Sequence, residues 1–358
     1  MNRYNEELRW LGYVLMPEGD IPSVEDWYSL FDFACKQQIQ GIYAPFEHDV
    51  RLPQDLLFEW IGIVEQGKSE NLNLNRRIVQ LCLELRKAGF RCCIIKGQGN
   101  GLMYPDSLLR MPGDIDAWID ASQEELYDYV KNKFPDAESN TKHIKFPLFQ
   151  DVPVDAHFTP LKLYHPYRNK KLQIWLNENK EKQMTNYVRL SGTDVDVAIP
   201  TARFNLVYQL GHILIHLYDE GIGLKQIVDY YYVLKQMEGV SDDERNEIEG
   251  EWKEFGLLRI AQAIMWVENS MLGLPEKYLI VEHSEKLGKL LANDILDGGY
   301  FGKYGGVHGR GALMRKLVNV IRMIKVSRCA PAEAFFRLLG KIRTFNKKFI
   351  LKHNNGNV

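Results

Sequence analysis

Over the first seventy residues apolar side chains recur every three to four positions, the spacing of amphipathic helices. In SVEDWYSLFDFACKQQ, Ser23 stands as the expected N-cap, and Trp27, Leu30, Phe31 and Ala34 share a face. LPQDLLFEWIGIVEQG repeats the pattern after Pro53. NLNLNRRIVQLCLELRKAGF reads as a third, longer helix, with Leu74, Ile78, Leu81 and Leu85 on one side and Gly89 as its stop. The period then changes. Arg91 to Ile95 is a compact apolar run, read as a buried strand, and Lys96-Gly97-Gln98-Gly99 turns the chain into a short helix ending near Tyr104-Pro105. GDIDAWID is the next strand. Ser122 followed by Glu125 forms a capping box that opens a helix to about Phe134. HIKFPLFQ and VPVDAHF read as two more strands, joined by a tight turn at Asp151-Val152-Pro153. This βαβαββ order over roughly 70–160 predicts an α/β fold of the α+β type, built on a small mixed sheet.

From Pro200 the helical period returns. TARFNLVYQLGHILIHLYDEGIGLKQIVDYYYVLKQM is a long helix, a Gly-Ile-Gly break and a second helix, with further helices at 241–272 and 284–297. Residues 298–311 hold seven glycines in fourteen positions, too many for regular structure. Residues 312–352 alternate basic and apolar residues at helical spacing. The chain thus divides into an N-terminal helical region (1–70), an α/β core (71–199) and a larger C-terminal helical region (200–358) with a basic tail. No internal repeat is visible.

Composition narrows the class. The 358 residues are 45% hydrophobic and 26% charged, ordinary for a globular protein with two or three domains. No stretch approaches the roughly 20 apolar residues of a membrane helix, and the N-terminus lacks a signal-peptide core. A cytoplasmic protein without a membrane span is expected. The five cysteines are scattered without a CxxC pair and read as reduced thiols, with Cys92 and Cys93 facing opposite sides of their strand. The net charge of −2 conceals an asymmetry. Lys303 to Lys352 contains thirteen Lys/Arg against one carboxylate, Glu333, which leaves the remainder near −14. A solvated helix face that also pairs with the acidic remainder is the first reading. Nucleic acid, anionic lipid, an acidic partner or a phosphorylated substrate are the alternatives.

The candidate chemistry lies in the α/β core. Asp114 and Asp116 sit two apart on one predicted strand, so they share a face and repel unless a cation or water intervenes. Asp155, in VPVDAHF, is placed on a predicted neighbouring strand. Three carboxylates converging from two strands suit Mg²⁺, a hard cation held by carboxylates and substrate phosphates. Two such ions can activate an attacking oxygen and stabilise a leaving one. Upstream, IIKGQGNGL is a strand running through Lys96-Gly97 into a helix, where backbone N–H groups favour phosphate and Lys96 adds charge. It is not a Walker loop, because the Gly-x-x-x-x-Gly-Lys-Ser/Thr order is absent. His157 shares the face of Asp155 and reads as a bridge to a carboxylate, a proton shuttle or a satisfied buried histidine. His212 and His216 have zinc-ligand spacing but no third ligand in register, so packing is the better reading.

Phosphate turn, Asp-x-Asp and later carboxylate together resemble the polymerase-beta-like nucleotidyltransferase superfamily. More narrowly, IIKGQGNGLMYPDSLLRMPGDIDAWID is similar to a bacterial nucleotidyltransferase-like family with a Lys-Gly turn and an Arg-x-x-Gly-Asp-Ile-Asp segment. VDAHF is similar to that family's acidic-x-His strand, and HILIHLYDEGIGLKQIVDYYYVL to its His-containing helix. The resemblance covers about residues 75–235 and is strongest over 94–120. It implies that Asp114 and Asp116 ligate the metal ions holding an NTP, ATP by default, and that Asp155 completes the site and helps deprotonate the acceptor. Gly97 and Gln98 would face the phosphates, Gln98 standing where the superfamily has Ser or Gly. Arg110 would reach a phosphate or brace the strand. Lys225 would meet the nucleotide, with Asp229 orienting it at i, i+4. Apart from the resemblance, the glycine-rich segment with Lys303, His308 and Arg310 is read first as a mobile connector, with closure over a bound substrate as the alternative. The implied activity is Mg²⁺-dependent transfer of a nucleoside monophosphate to an unidentified acceptor. A non-catalytic nucleotide- or partner-binding module, or a phosphotransferase, are its rivals.

Overall fold

A computed structural model describes residues 4–45, 51–300 and 312–354. Two helices, α1 (Asn5–Leu15) and α2 (Trp27–Gln37), precede a helix of 34 residues, α3 (Gln54–Lys87). The N-cap of α2 is Asp26, whose carboxylate accepts from the N–H groups of Tyr28 and Ser29, and not Ser23. The two helices expected between Pro53 and Gly89 are one. Gly67, at their junction, stays helical and buried beside Met111 and Pro112. Gly89, at φ +84°, ends the helix.

The sheet follows. β1 (Cys92–Ile94) leads through a single helical turn, α4 (Gly97–Gly101), to β2 (Ile115–Ile119). The expected capping box of Ser122 and Glu125 opens α5 (Gln123–Lys133), ahead of β3 (His143–Lys145) and β4 (Val154–His157). Three elements complete the unit: α6 (Pro166–Met184) and the hairpin β5 (Tyr187–Arg189) and β6 (Asp196–Ala198). The six-stranded sheet has the order β3-β4-β2-β1-β6-β5. It is mixed: β2 runs parallel to β4, β1 parallel to β6, and the other pairs are antiparallel.

Strand alternation sends side chains to two cores. Ile115, Ala117 and Ile119 of β2, with Val154 and Ala156 of β4, pack against α5 and the C-terminal half of α3. Cys93 and Trp118 face the larger core on the other side. That core is built from α7 (Ala202–Asp219), α8 (Leu224–Lys235), α9 (Asp242–Phe255), α10 (Leu258–Trp266) and α11 (Glu285–Gly298), and it also takes in α1, α2 and the start of α3. Asp116, Asp155 and His157 therefore project toward α7. Of the two last helices, α12 (Ala312–Val326) packs on α7, and α13 (Pro331–Asn354) reaches the C-terminal end of α7 through Arg337 and Lys341. Part of the basic end turns inward: Arg322 pairs with Asp294, and Arg337 with Asp219. Lys303, His308 and Arg310 lie outside the described residues. No described helix is long and apolar enough to cross a membrane.

Candidate active site

The register β2/β4 sets Asp116 directly opposite Asp155. Asp114 lies just before β2, exposed, and not within the strand itself. Oxygens of Asp114, Asp116 and Asp155 all come within 4.8 Å of one another. Burial, then the charge of Asp116, pushes the Asp155 carboxyl up. For Asp116 burial acts in the same direction, but Lys96 and His157 outweigh it and hold this carboxyl well below the usual range.

Lys96 reaches Asp116 through backbone pairing. Ile95 N–H donates to Asp116 O at 3.0 Å, so the next residue emerges beside the carboxylate. Its Nζ is 2.7 Å from Asp116 Oδ2 and donates to His212 Nε2 at 3.0 Å. Lys96 adopts φ +64°, ψ −152°, a region used almost only by glycine, and Gly97 follows at φ +45°. Such a backbone costs about 1–3 kcal/mol and persists only where its surroundings over-determine it. Here the ion pair and His212 do so. Burial, then Lys96, holds the His212 imidazole well down, so it is neutral and accepts. His216 Nε2 also lies 3.0 Å from His212 Nε2. Neither histidine joins a metal-ligating cluster among the described residues. His157 Nε2 meets Asp116 Oδ1 at 2.8 Å, while His143 Nε2 is 3.3 Å from Asp155 Oδ2.

Gln98 and Asp229 sit differently from expectation, and of the two roles expected of Arg110 it has the structural one. Gln98 turns away from the cleft, and its amide donates to Asn75 Oδ1 at 2.9 Å on α3. One helical turn cannot face all its side chains to the site, and Asn100 lines the cleft in its place. Arg110 is buried and grips Asp229 with two 2.8 Å bonds. Tyr104 donates to the same carboxylate at 2.7 Å. With its oxygens taken, Asp229 does not orient Lys225. The Lys225 ammonium donates instead to Pro112 O at 3.1 Å and lies over the Tyr300 ring. Burial, then the charge of Arg110, pushes it down to about 7.

The carboxylates stand between two spaces. A cleft of about 150 Å³ is lined by Gly97, Asn100, Gln209, Lys225, Gln226 and Tyr300. A chamber of about 860 Å³ opens on the other side, toward β3, α7 and α13. Lys96, Asp114, Asp116, His212 and His216 border both. Tyr104, Tyr300 and Lys142 also border the site, at positions that no motif marks. Only Lys142 carried a signal, as a charge at the start of an apolar strand.

Residues 23–273 match the family described as Uncharacterised nucleotidyltransferase, a wider span than that of the motifs. Among solved structures, an antigenic nucleotidyltransferase-like protein from Paracoccidioides brasiliensis is similar at 13% identity, over 57% of this chain and 94% of that one, with a TM-score of 0.32. No curated protein matches. The matched span takes in all six strands and both the Lys-Gly turn and the three carboxylates. The chain belongs to the uncharacterised nucleotidyltransferase family.

Proposed function

We propose that the protein is a Mg²⁺-dependent nucleotidyltransferase that moves a nucleoside monophosphate from an NTP, ATP by default, onto an acceptor. The observation that carries this reading is the Asp114/Asp116/Asp155 cluster beside the Lys96-Gly97 turn. An octahedral Mg²⁺ with oxygens at about 2.1 Å holds them about 3–4.2 Å apart, so carboxylates within 4.8 Å need little movement to fit. Magnesium held there would neutralise the triphosphate and polarise both the attacking and the leaving oxygen. The chain supplies the rest by position and charge. Lys96 balances Asp116 and lies within reach of a phosphate. The backbone at Gly97 admits a phosphate closely, and Lys225 faces the same cleft. Arg110 braces this wall through Asp229 and is not free to bind phosphate by its fork. In the transfer, an acceptor oxygen or nitrogen forms the bond to the α-phosphorus as the bridge to the β-phosphate breaks. Pyrophosphate leaves, and the acceptor's proton passes to Asp155.

Incubation with α- and γ-labelled ATP, Mg²⁺ and a soluble extract tests the reading. Label from the α-phosphate is expected on an acceptor. Transfer of γ-label would instead mark a phosphotransferase, and neither label would mark a binding module.

Lys225 adds a check that needs no acceptor. At about pH 8.5 an ammonium with a value near 7 is mostly neutral, and a triphosphate beside it restores its charge. Nucleotide binding is therefore expected to take up close to one proton, read by calorimetry in buffers of different ionisation enthalpy. Lys225→Met should remove that uptake. Binding by the wild type without proton exchange would place the triphosphate elsewhere.

A further inference from the structure

The acceptor side can be read from the larger chamber. Its cations divide into two groups. Lys96 is held by Asp116, and Arg337 pairs with Asp219 while stacking on the Tyr164 ring. Lys142 and Lys162 line the same chamber without a carboxylate in ion-pairing range among the described residues.

Lys142 is the informative one. Its backbone is pinned from both sides. Its N–H donates to Asn140 Oδ1 at 2.8 Å, and its carbonyl accepts from Phe158 N–H at 3.2 Å. The side chain is thereby presented at the start of β3, partly buried, within the field of Asp116, Asp155 and Asp219. Burial and the nearby charge of Lys96 work against its ammonium. A desolvated cation without a partner is costly, and an anion in the chamber reverses the cost. Donor phosphates are not the natural occupant. The glycine turn and Lys225 line only the smaller cleft, whereas Lys142 lines only the chamber. Tyr164 and Phe336 also line the chamber, and Lys162 stands exposed as a second positive charge.

We propose that the chamber of about 860 Å³ is the acceptor site and binds a small phosphorylated acceptor, its phosphoryl group on Lys142 and Lys162 and its nucleophile toward Asp155. This rests on the nucleotidyltransferase reading for the identity of the other substrate, but the anion site stands on its own geometry.

The test is calorimetry on the full chain with Mg²⁺, using glycerol 3-phosphate as probe and glycerol as its uncharged control. Titrations are run with and without a saturating α,β-methylene ATP analogue. Glycerol 3-phosphate is expected to bind in both states, and glycerol in neither. Lys142→Gln should weaken the phosphorylated probe at least about tenfold, and Lys162→Gln should weaken it less. Affinity for the nucleotide analogue should be unchanged in both variants. Absence of probe binding at millimolar concentration overturns the proposal, as do equal affinity in Lys142→Gln or exclusion of the probe by the analogue. Failure of the analogue itself to bind strikes the nucleotidyltransferase reading, and the nucleotide-free titration still decides the anion site.

Discussion

Asp114→Asn is expected to abolish transfer and leave the melting temperature unchanged, whereas Asp116→Asn abolishes transfer and also destabilises the protein. From the Asp-x-Asp spacing alone, both changes relieve repulsion and neither harms the fold. The structure separates them. Asp114 is exposed before β2, so its loss removes a carboxylate of the proposed metal site and little else. Asp116 is buried and holds Lys96 Nζ at 2.7 Å and His157 Nε2 at 2.8 Å. Neutralising it strands the Lys96 ammonium beside a neutral amide, at a backbone conformation already disfavoured. Breaking a fully buried pair costs about 3–5 kcal/mol; about 2–3 kcal/mol is expected here, because Lys96 keeps some access to water. Loss of a group that stabilises developing charge should lower the rate at least about a hundredfold in both variants. Pyrophosphate release and thermal unfolding read the two effects separately. Full turnover in both variants would remove the metal site from the mechanism, and equal stability would remove the structural role of Asp116.

These two aspartates show what could be read in the chain and what could not. The alternation of β2 and β4, the capping box at Ser122 and the Gly89 stop are local patterns, and each stands in the structure as its spacing implies. The pairing of Asp116 with Asp155 was legible for the same reason, since neighbouring strands with period-2 side chains bring both to one face, whereas Asp114 joins them from the residues before β2. The rest depends on long-range partners. Asp229 was read against its helical neighbour Lys225, but its partner is 119 positions away. Gln98 was aligned with a phosphate-facing position, yet a turn of five residues leaves its orientation to tertiary packing, and Asn71 and Asn75 claim its amide. The β5–β6 hairpin has strands of three residues, several exposed and polar, too short for a period to show. Sequence spacing located the carboxylates and the Lys-Gly turn. The chamber opposite is assembled from β3, α7 and α13, whose proximity no local pattern encodes.

Arg110→Ala is expected to cost about 3–5 kcal/mol of stability, the range for breaking one side of a buried pair. Both partners are more than nine-tenths buried. The guanidinium binds the carboxylate of Asp229 through Nε and Nη2 at 2.8 Å each, and Tyr104 adds a third bond at 2.7 Å. Burial pushes the Asp229 carboxyl up, and Arg110 outweighs it, so the net shift is downward. A lowered carboxylate contributes stability that is present above its unfolded value of about 3.9 and lost as pH falls through the folded one. The wild type should hold this contribution at neutral pH and lose it only on acidification. In Arg110→Ala it is missing at neutral pH, where the stranded carboxylate must either stay charged without its partner or take up a proton. Asp229→Ala should be equally damaging, since it strands the guanidinium. Replacing both by apolar residues of similar volume, as in Arg110→Met with Asp229→Leu, should recover much of the loss. Urea denaturation of the four proteins measures all of this. If Arg110 instead served the triphosphate directly, Arg110→Ala would keep its urea midpoint and lose nucleotide affinity, and the double variant would recover nothing.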